Sequence, residues 1–147
     1  MVMINKILLG LDGSDPSKHA LDYAVEIAKK WGSELLVLSV VPPVFVPVIE
    51  PGLLSENIDK LKEETEKFYQ KVLIQAEEKL DDYPEIQYKT ILEHGRPCKV
   101  INNVASEENV DLIVIGSRGL GGITGYLLGS TSHRVAGHCK MPVLIVK

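Results

Sequence analysis

Ile4–Leu11 is rich in Ile and Leu, Glu34–Val41 has little polar face, Leu112–Ile115 is continuously apolar, and apolar residues recur through Pro142–Val146. Runs of this length predict strands of a parallel sheet covered on both faces. Between them the spacing becomes helical. Ala20, Leu21, Ala24, Val25, Ala28 and Trp31 recur every three or four positions; Ser14 or Asp15 offers a cap, Pro16 suits the first turn and Gly32 is a stop signal. Ser55 opens a long helix reaching about Asp81, with an apolar stripe of Ile58, Leu61, Thr65, Phe68, Val72 and Leu80, flanked by Leu73 and Ala76. Glu63, Glu64, Glu66, Glu77 and Glu78 belong to its solvated side. Ile86–Glu93 alternates apolar and polar residues, as an edge strand does. The turn His94-Gly95-Arg96-Pro97 leads into a helix whose inner face carries Val100, Ile101, Val104 and Ala105, and a last helix runs from Ser130 to His138.

The alternation βαβαβαβαβ predicts an α/β fold: a five-stranded parallel sheet with helices on both faces, joined by right-handed crossovers. No linker or low-complexity segment divides it, so residues 1–147 read as one domain, a size that supports a core without disulfide or metal staples. Pro42–Leu54 interrupts the pattern with four prolines among apolar side chains, which disfavours a helix and predicts an extended connection. It reads as a segment lying across the domain surface, with a partner contact or a ligand lid as the alternative.

Charge removes some functions from consideration. The net charge is −4 and the basic residues are scattered, which leaves no electrostatic footprint for nucleic acid or an anionic membrane surface. No apolar run approaches the roughly 18 residues of a membrane span, and Lys6 and Asp12 break the N-terminal one, so a cytoplasmic location is expected. Cys98 and Cys139 lack CxxC spacing and are expected to stay reduced there. His19, His94, His133 and His138 show no metal-ligand spacing with cysteine or carboxylate.

The candidate chemistry lies in DLIVIGSRGLGGITGYLLGST, residues 111–131. A buried strand ends at Gly116 and passes into a loop carrying Arg118, Gly119, Gly121, Gly122 and Gly125, then Gly129 and the hydroxyls of Ser130, Thr131 and Ser132 at a helix start. Glycines let backbone approach a ligand closely and adopt positive φ. Unpaired N–H groups at a helix start, at the positive end of its dipole, suit an anion. The loop is neither a P-loop, since no lysine stands between Gly129 and Ser130, nor a dinucleotide GxGxxG, since Thr124 holds the last glycine position after Gly119 and Gly121. With strand order 3-2-1-4-5, Gly10, Leu11 and Asp12 at the end of the first strand face this loop across the point where the winding reverses. Asp12 also reads as a turn or cap residue, the loop as a flexible connection, and Arg118 as either solvated or phosphate-bound.

Gly116, Gly119, Gly129 and Ser130 reproduce G-x2-G-x9-G-[ST], and in this the chain resembles the ATP-binding members of the universal stress protein family. KILLGLDGS, LLVLSVV, EHGRP and PVLIVK extend the resemblance over nearly the whole chain; Lys140-Met141 departs from it, where a cysteine often precedes the proline. The resemblance implies a Rossmann-like three-layer sandwich of strand order 3-2-1-4-5 and homodimers pairing fifth strands. It further implies that Asp12 contacts the nucleoside, that Val40 lies beside adenine, and that backbone from Ile115 through Gly119 and from Gly129 through Ser132 holds ribose and phosphates. Mg2+ or Mn2+ would be held mainly through those phosphates. Such a protein is a dimeric regulator or sensor in stress response. The alternatives are a slow ATPase or self-phosphorylating enzyme, for which the loop offers no evident base, and an adaptor that binds no nucleotide.

Overall fold

The computed structural model describes residues 1–44, 55–119 and 129–147. Its elements are β1 (Lys6–Gly10), α1 (Asp15–Trp31), β2 (Glu34–Val41), α2 (Ser55–Leu80), β3 (Tyr88–His94), α3 (Pro97–Glu107), β4 (Leu112–Gly116), α4 (Ser130–His138) and β5 (Val143–Val146). Every strand pair is parallel, in the order β3-β2-β1-β4-β5. β1 sits at the centre, with Ile7 opposite Leu35 on one side and Leu112 on the other.

The period-two alternation of the strands divides the core between two faces. Ile7, Leu9, Leu35 and Val37 meet Ala20, Ala24 and Val25 of α1 and Val72, Ala76 and Leu80 of α2. Leu8, Leu36 and Ile113 turn the other way, under Ile101 and Ala105 of α3 and Val135 of α4. Each large side chain taken fully out of water stabilises the fold by about 1.5–3 kcal/mol. The strands buried on both faces, β1, β2 and β4, therefore carry the core, while β3 and β5 are partly exposed edges.

Local signals set the element ends. Ser14 caps α1 by accepting from the Ser17 N–H at 3.3 Å. Gly32 ends that helix at φ +67°, a left-handed conformation glycine adopts without strain, and returns its N–H to the Ala28 carbonyl. Trp31 lies outside the buried stripe expected of α1, 42% exposed as the last residue of the helix. The expected stripe of α2 holds over its C-terminal half and fails over its N-terminal half. Tyr69, Val72, Leu73, Ala76 and Leu80 are buried, whereas Leu61 and Phe68 are exposed, so only the C-terminal half of the helix packs closely on the sheet. Ile86 is buried but precedes β3; its N–H bonds to the Tyr83 carbonyl in a turn. Most of the proline-rich stretch, residues 45–54, lies outside the described residues. No helix among the described residues is long and apolar enough to cross a membrane.

Candidate functional site

β1 and β4 are neighbours, yet β1 feeds α1 on one face of the sheet and β4 precedes α4 on the other. The chain diverges at their carboxyl ends and leaves a crevice, the usual ligand position in an open parallel sheet. A cavity of about 420 Å³ fills that position. Gly10, Leu11 and Asp12 reach it from β1, Val40 from β2, and Ile115, Gly116, Arg118 and Gly119 from β4 and its exit. Gly129, Ser130, Thr131 and Ser132 close it from the start of α4. These twelve candidate residues line one cavity, whereas residues 120–128 lie outside the described part of the chain.

The two sides are built differently. On the β1 side, Asp12 Oδ1 accepts from Ser14 twice, from N–H at 2.9 Å and from the hydroxyl at 2.5 Å. The same hydroxyl reaches the Arg118 carbonyl at 3.2 Å and so ties the Asp12 turn to the glycine-rich loop. Asp12 Oδ2 faces Gly119, where an added Cβ would stand 2.7 Å from it. Both polar backbone groups of Leu11 are occupied, its N–H by the Leu38 carbonyl and its carbonyl by the Ser39 hydroxyl, leaving Leu11 as wall rather than polar ligand.

On the β4 side, the Ser117 carbonyl accepts from the Gly129 N–H at 2.7 Å and from the Ser132 hydroxyl at 2.9 Å. The two ends of the loop are pinned together by these bonds. Ser132 is buried and also bonds the Gly129 carbonyl, so its hydroxyl is structural. No side chain caps α4. Ser130, Thr131 and Ser132 form the first turn of α4, whose N–H groups have no partner within the helix, and all three line the cavity. Beyond them a second recess of about 400 Å³ shares Pro97, Ser130 and Thr131 and adds Arg96 and Arg134. None of the ion pairs among the described residues engages Arg96, Arg118 or Arg134. Among the described residues the crevice therefore has a carboxylate at one end and, around the start of α4, arginines without an ion-pair partner at the other.

Among the described residues, the glycines of the loop, Gly116, Gly119 and Gly129, act through close approach rather than positive φ. Gly129 has φ −65°, and the positive-φ glycines of the described residues are Gly13, Gly32 and Gly95. A Cβ on Gly116 would stand 2.8 Å from the Ser17 nitrogen and 2.9 Å from Pro16, so β4 could not lie this close to the start of α1. Gly121, Gly122 and Gly125 lie outside the described residues.

Ser17, Leu38, Tyr69, Pro97 and Ile101 also line the cavity and were not anticipated. Leu38 and Ile101 join Val40 and Ile115 in an apolar wall continuous with the core under α3 and α4, and their sequence signal is that of any core residue. Tyr69 comes from α2, remote in sequence from both turns, and only the phase of that helix turns it inward. Among the described residues no group of three or more His, Cys, Asp or Glu side chains is placed to hold a metal ion.

A doubly wound parallel sheet with an apolar wall, a fixed carboxylate and an open helix start at its switch point has the architecture of the open α/β proteins, whose ligand crevices lie at the strand ends. The model of the Universal stress protein family matches residues 3–147, and the chain belongs to that family. It is 40% identical over 149 aligned residues to the universal stress protein YxiE of Bacillus subtilis, covering 99% of this chain and 100% of the relative. The universal stress protein UspA of Lactobacillus plantarum has the same fold, with a TM-score of 0.87 at 24% identity over the full length of both chains. A universal stress protein solved in complex with cAMP matches with a TM-score of 0.69 at 29% identity, over 99% of each chain.

Proposed function

We propose that this protein binds an adenine ribonucleotide, ATP foremost, in the crevice between β1 and β4, and acts as a nucleotide-dependent regulator in stress response. The observation that carries the reading is the opposition, across one 420 Å³ cavity, of Asp12 and the uncapped start of α4. A flat base fits the wall of Leu38, Val40, Ile101 and Ile115. Phosphates fit the N–H groups of Ser130, Thr131 and Ser132, where the helix dipole favours negative charge. Gly119 supports the same reading, because the space before Asp12 Oδ2 is one a side chain would fill. A complex with cAMP in a family member 29% identical to this chain agrees with an adenine nucleotide as ligand. Mg2+ or Mn2+ would enter with the phosphates and supply charge neutralisation there.

Residues 1–147 act as one universal stress protein domain in this reading. Pairing of two copies through β5 completes it, since that strand is a short edge with an unpaired side. The protein works in the cytoplasm, where ATP is abundant.

Denaturing freshly purified protein and separating the released small molecules tests the ligand. Near-stoichiometric ATP that survives incubation with magnesium supports a sensor; ADP accumulating with time moves the reading to a slow ATPase. No adenine nucleotide, and none that can be loaded, leaves the glycine loop structural. Sedimentation at micromolar concentration tests the dimer, with a β5 proline variant, Ile145→Pro, whose backbone N–H faces away from β4, as the form that should not pair.

A further inference from the structure

Tyr69 is a polar side chain placed in the cavity without a hydrogen-bond partner among the described residues. It is only 8% exposed and lines the cavity together with Asp12. The ring is buried while the hydroxyl opens onto the cavity, where a ligand can reach it. Its position is set by α2 pressing on the turn that carries Asp12: a Cβ on Gly13 would stand 3.1 Å from both Phe68 Cζ and Val72 Cγ2. The Phe68 and Tyr69 rings meet edge to face at 5.1 Å, which fixes the direction of the phenol. Burial, and then the Asp12 carboxylate, raise its ionisation above the ordinary 10.0, so near neutral pH it is an O–H that both donates and accepts.

Asp12 has one oxygen left for a ligand. Oδ1 is taken by Ser14 and Oδ2 faces the cavity side held open by Gly119. A phosphate is repelled by this carboxylate, so the group bound at this end is a neutral one that donates to Asp12. A sugar hydroxyl donates to a carboxylate and accepts from a phenol through a single oxygen. An exocyclic base amine donates well but is a poor acceptor, because its lone pair is delocalised into the ring.

We propose that Tyr69 and Asp12 together bind one ribose hydroxyl of the nucleotide, making Tyr69 a specificity residue that selects ribonucleotides over the deoxy form. This rests on the nucleotide-binding reading above. The contact lies at the nucleoside end, so its value is independent of the number of phosphates.

Calorimetric titration of the wild type and Tyr69→Phe with ATP, AMP, 2′-deoxy-ATP and 3′-deoxy-ATP tests the assignment. Removing the phenol oxygen should weaken ATP and AMP by the same factor, about three- to tenfold. One of the two deoxy nucleotides should bind both proteins equally, and should bind the wild type more weakly than ATP. That last comparison needs no variant and stands even if Tyr69→Phe folds poorly. Equal affinity of both proteins for ATP overturns the role of Tyr69 while leaving nucleotide binding intact. A loss several times larger for ATP than for AMP places the contact at the phosphates, and losses for both deoxy nucleotides as large as for ATP place it on the base; either overturns the ribose assignment. A wild type that binds none of the four overturns the nucleotide reading itself, and this proposal with it.

Discussion

Gly119 and Asp12, far apart in the chain, are in contact across the crevice: a Cβ on Gly119 would stand 2.7 Å from Asp12 Oδ2. Oδ1 of that carboxylate is anchored by Ser14, so the side chain has little freedom to move aside. Gly119→Ala should therefore displace Asp12 or the loop and weaken adenine-nucleotide binding by about tenfold, which corresponds to about 1.4 kcal/mol. Gly119 is itself exposed, so the unfolding midpoint should change little. Titration calorimetry beside a thermal melt separates the two effects, and unchanged affinity would remove Gly119 from the site.

Asp12 has two tasks that a pair of variants can separate. Asp12→Asn keeps an oxygen for Ser14, so it should retain the stability of the wild type and lose affinity for nucleotide. Asp12→Ala also frees Ser14, the cap of α1, and should cost about 1 kcal/mol of stability in addition. Urea denaturation of both variants measures the difference; equal stability would mean that Ser14 caps α1 without help from Asp12.

Gly116 is a packing position. Its missing Cβ would meet backbone of Pro16 and Ser17, which cannot rotate away as the end of a side chain can. Gly116→Ala should push β4 from α1 and destabilise the fold by about 1–3 kcal/mol. The denaturation midpoint should fall at constant slope, because the variant unfolds the same surface.

Tyr69 gives the protein an alkaline limit. Its folded pKa is raised, by burial first and by Asp12 second, above the 10.0 of an ordinary tyrosine. Below about pH 10 both folded and unfolded chains hold the proton and stability from this group is constant. Above it the unfolded chain ionises first, so stability is lost as pH rises towards the folded value. Tyr69→Phe should flatten that decline. Tyr88, whose hydroxyl donates to Asp81, is shifted in the same direction and remains in both proteins as an internal reference.

The sequence by itself determined the element order, the parallel sheet and the residues of both turns. Runs such as Leu35–Val41 can be buried only in a strand covered on both faces, and G-x2-G-x9-G-[ST] together with Asp12 marks the places where backbone must approach something closely. Tertiary structure decided what those residues do. Gly119 is small because Asp12 lies opposite it, Gly116 because Pro16 and Ser17 do, and the Ser132 hydroxyl is spent on the Ser117 and Gly129 carbonyls. Each of these depends on contacts between residues distant in the chain, which local periodicity does not encode. The phase of α2 shows the same limit: Leu61 and Phe68 fit an apolar stripe as well as Tyr69 does, and only packing against the Asp12 turn and the sheet turned Tyr69 into the cavity.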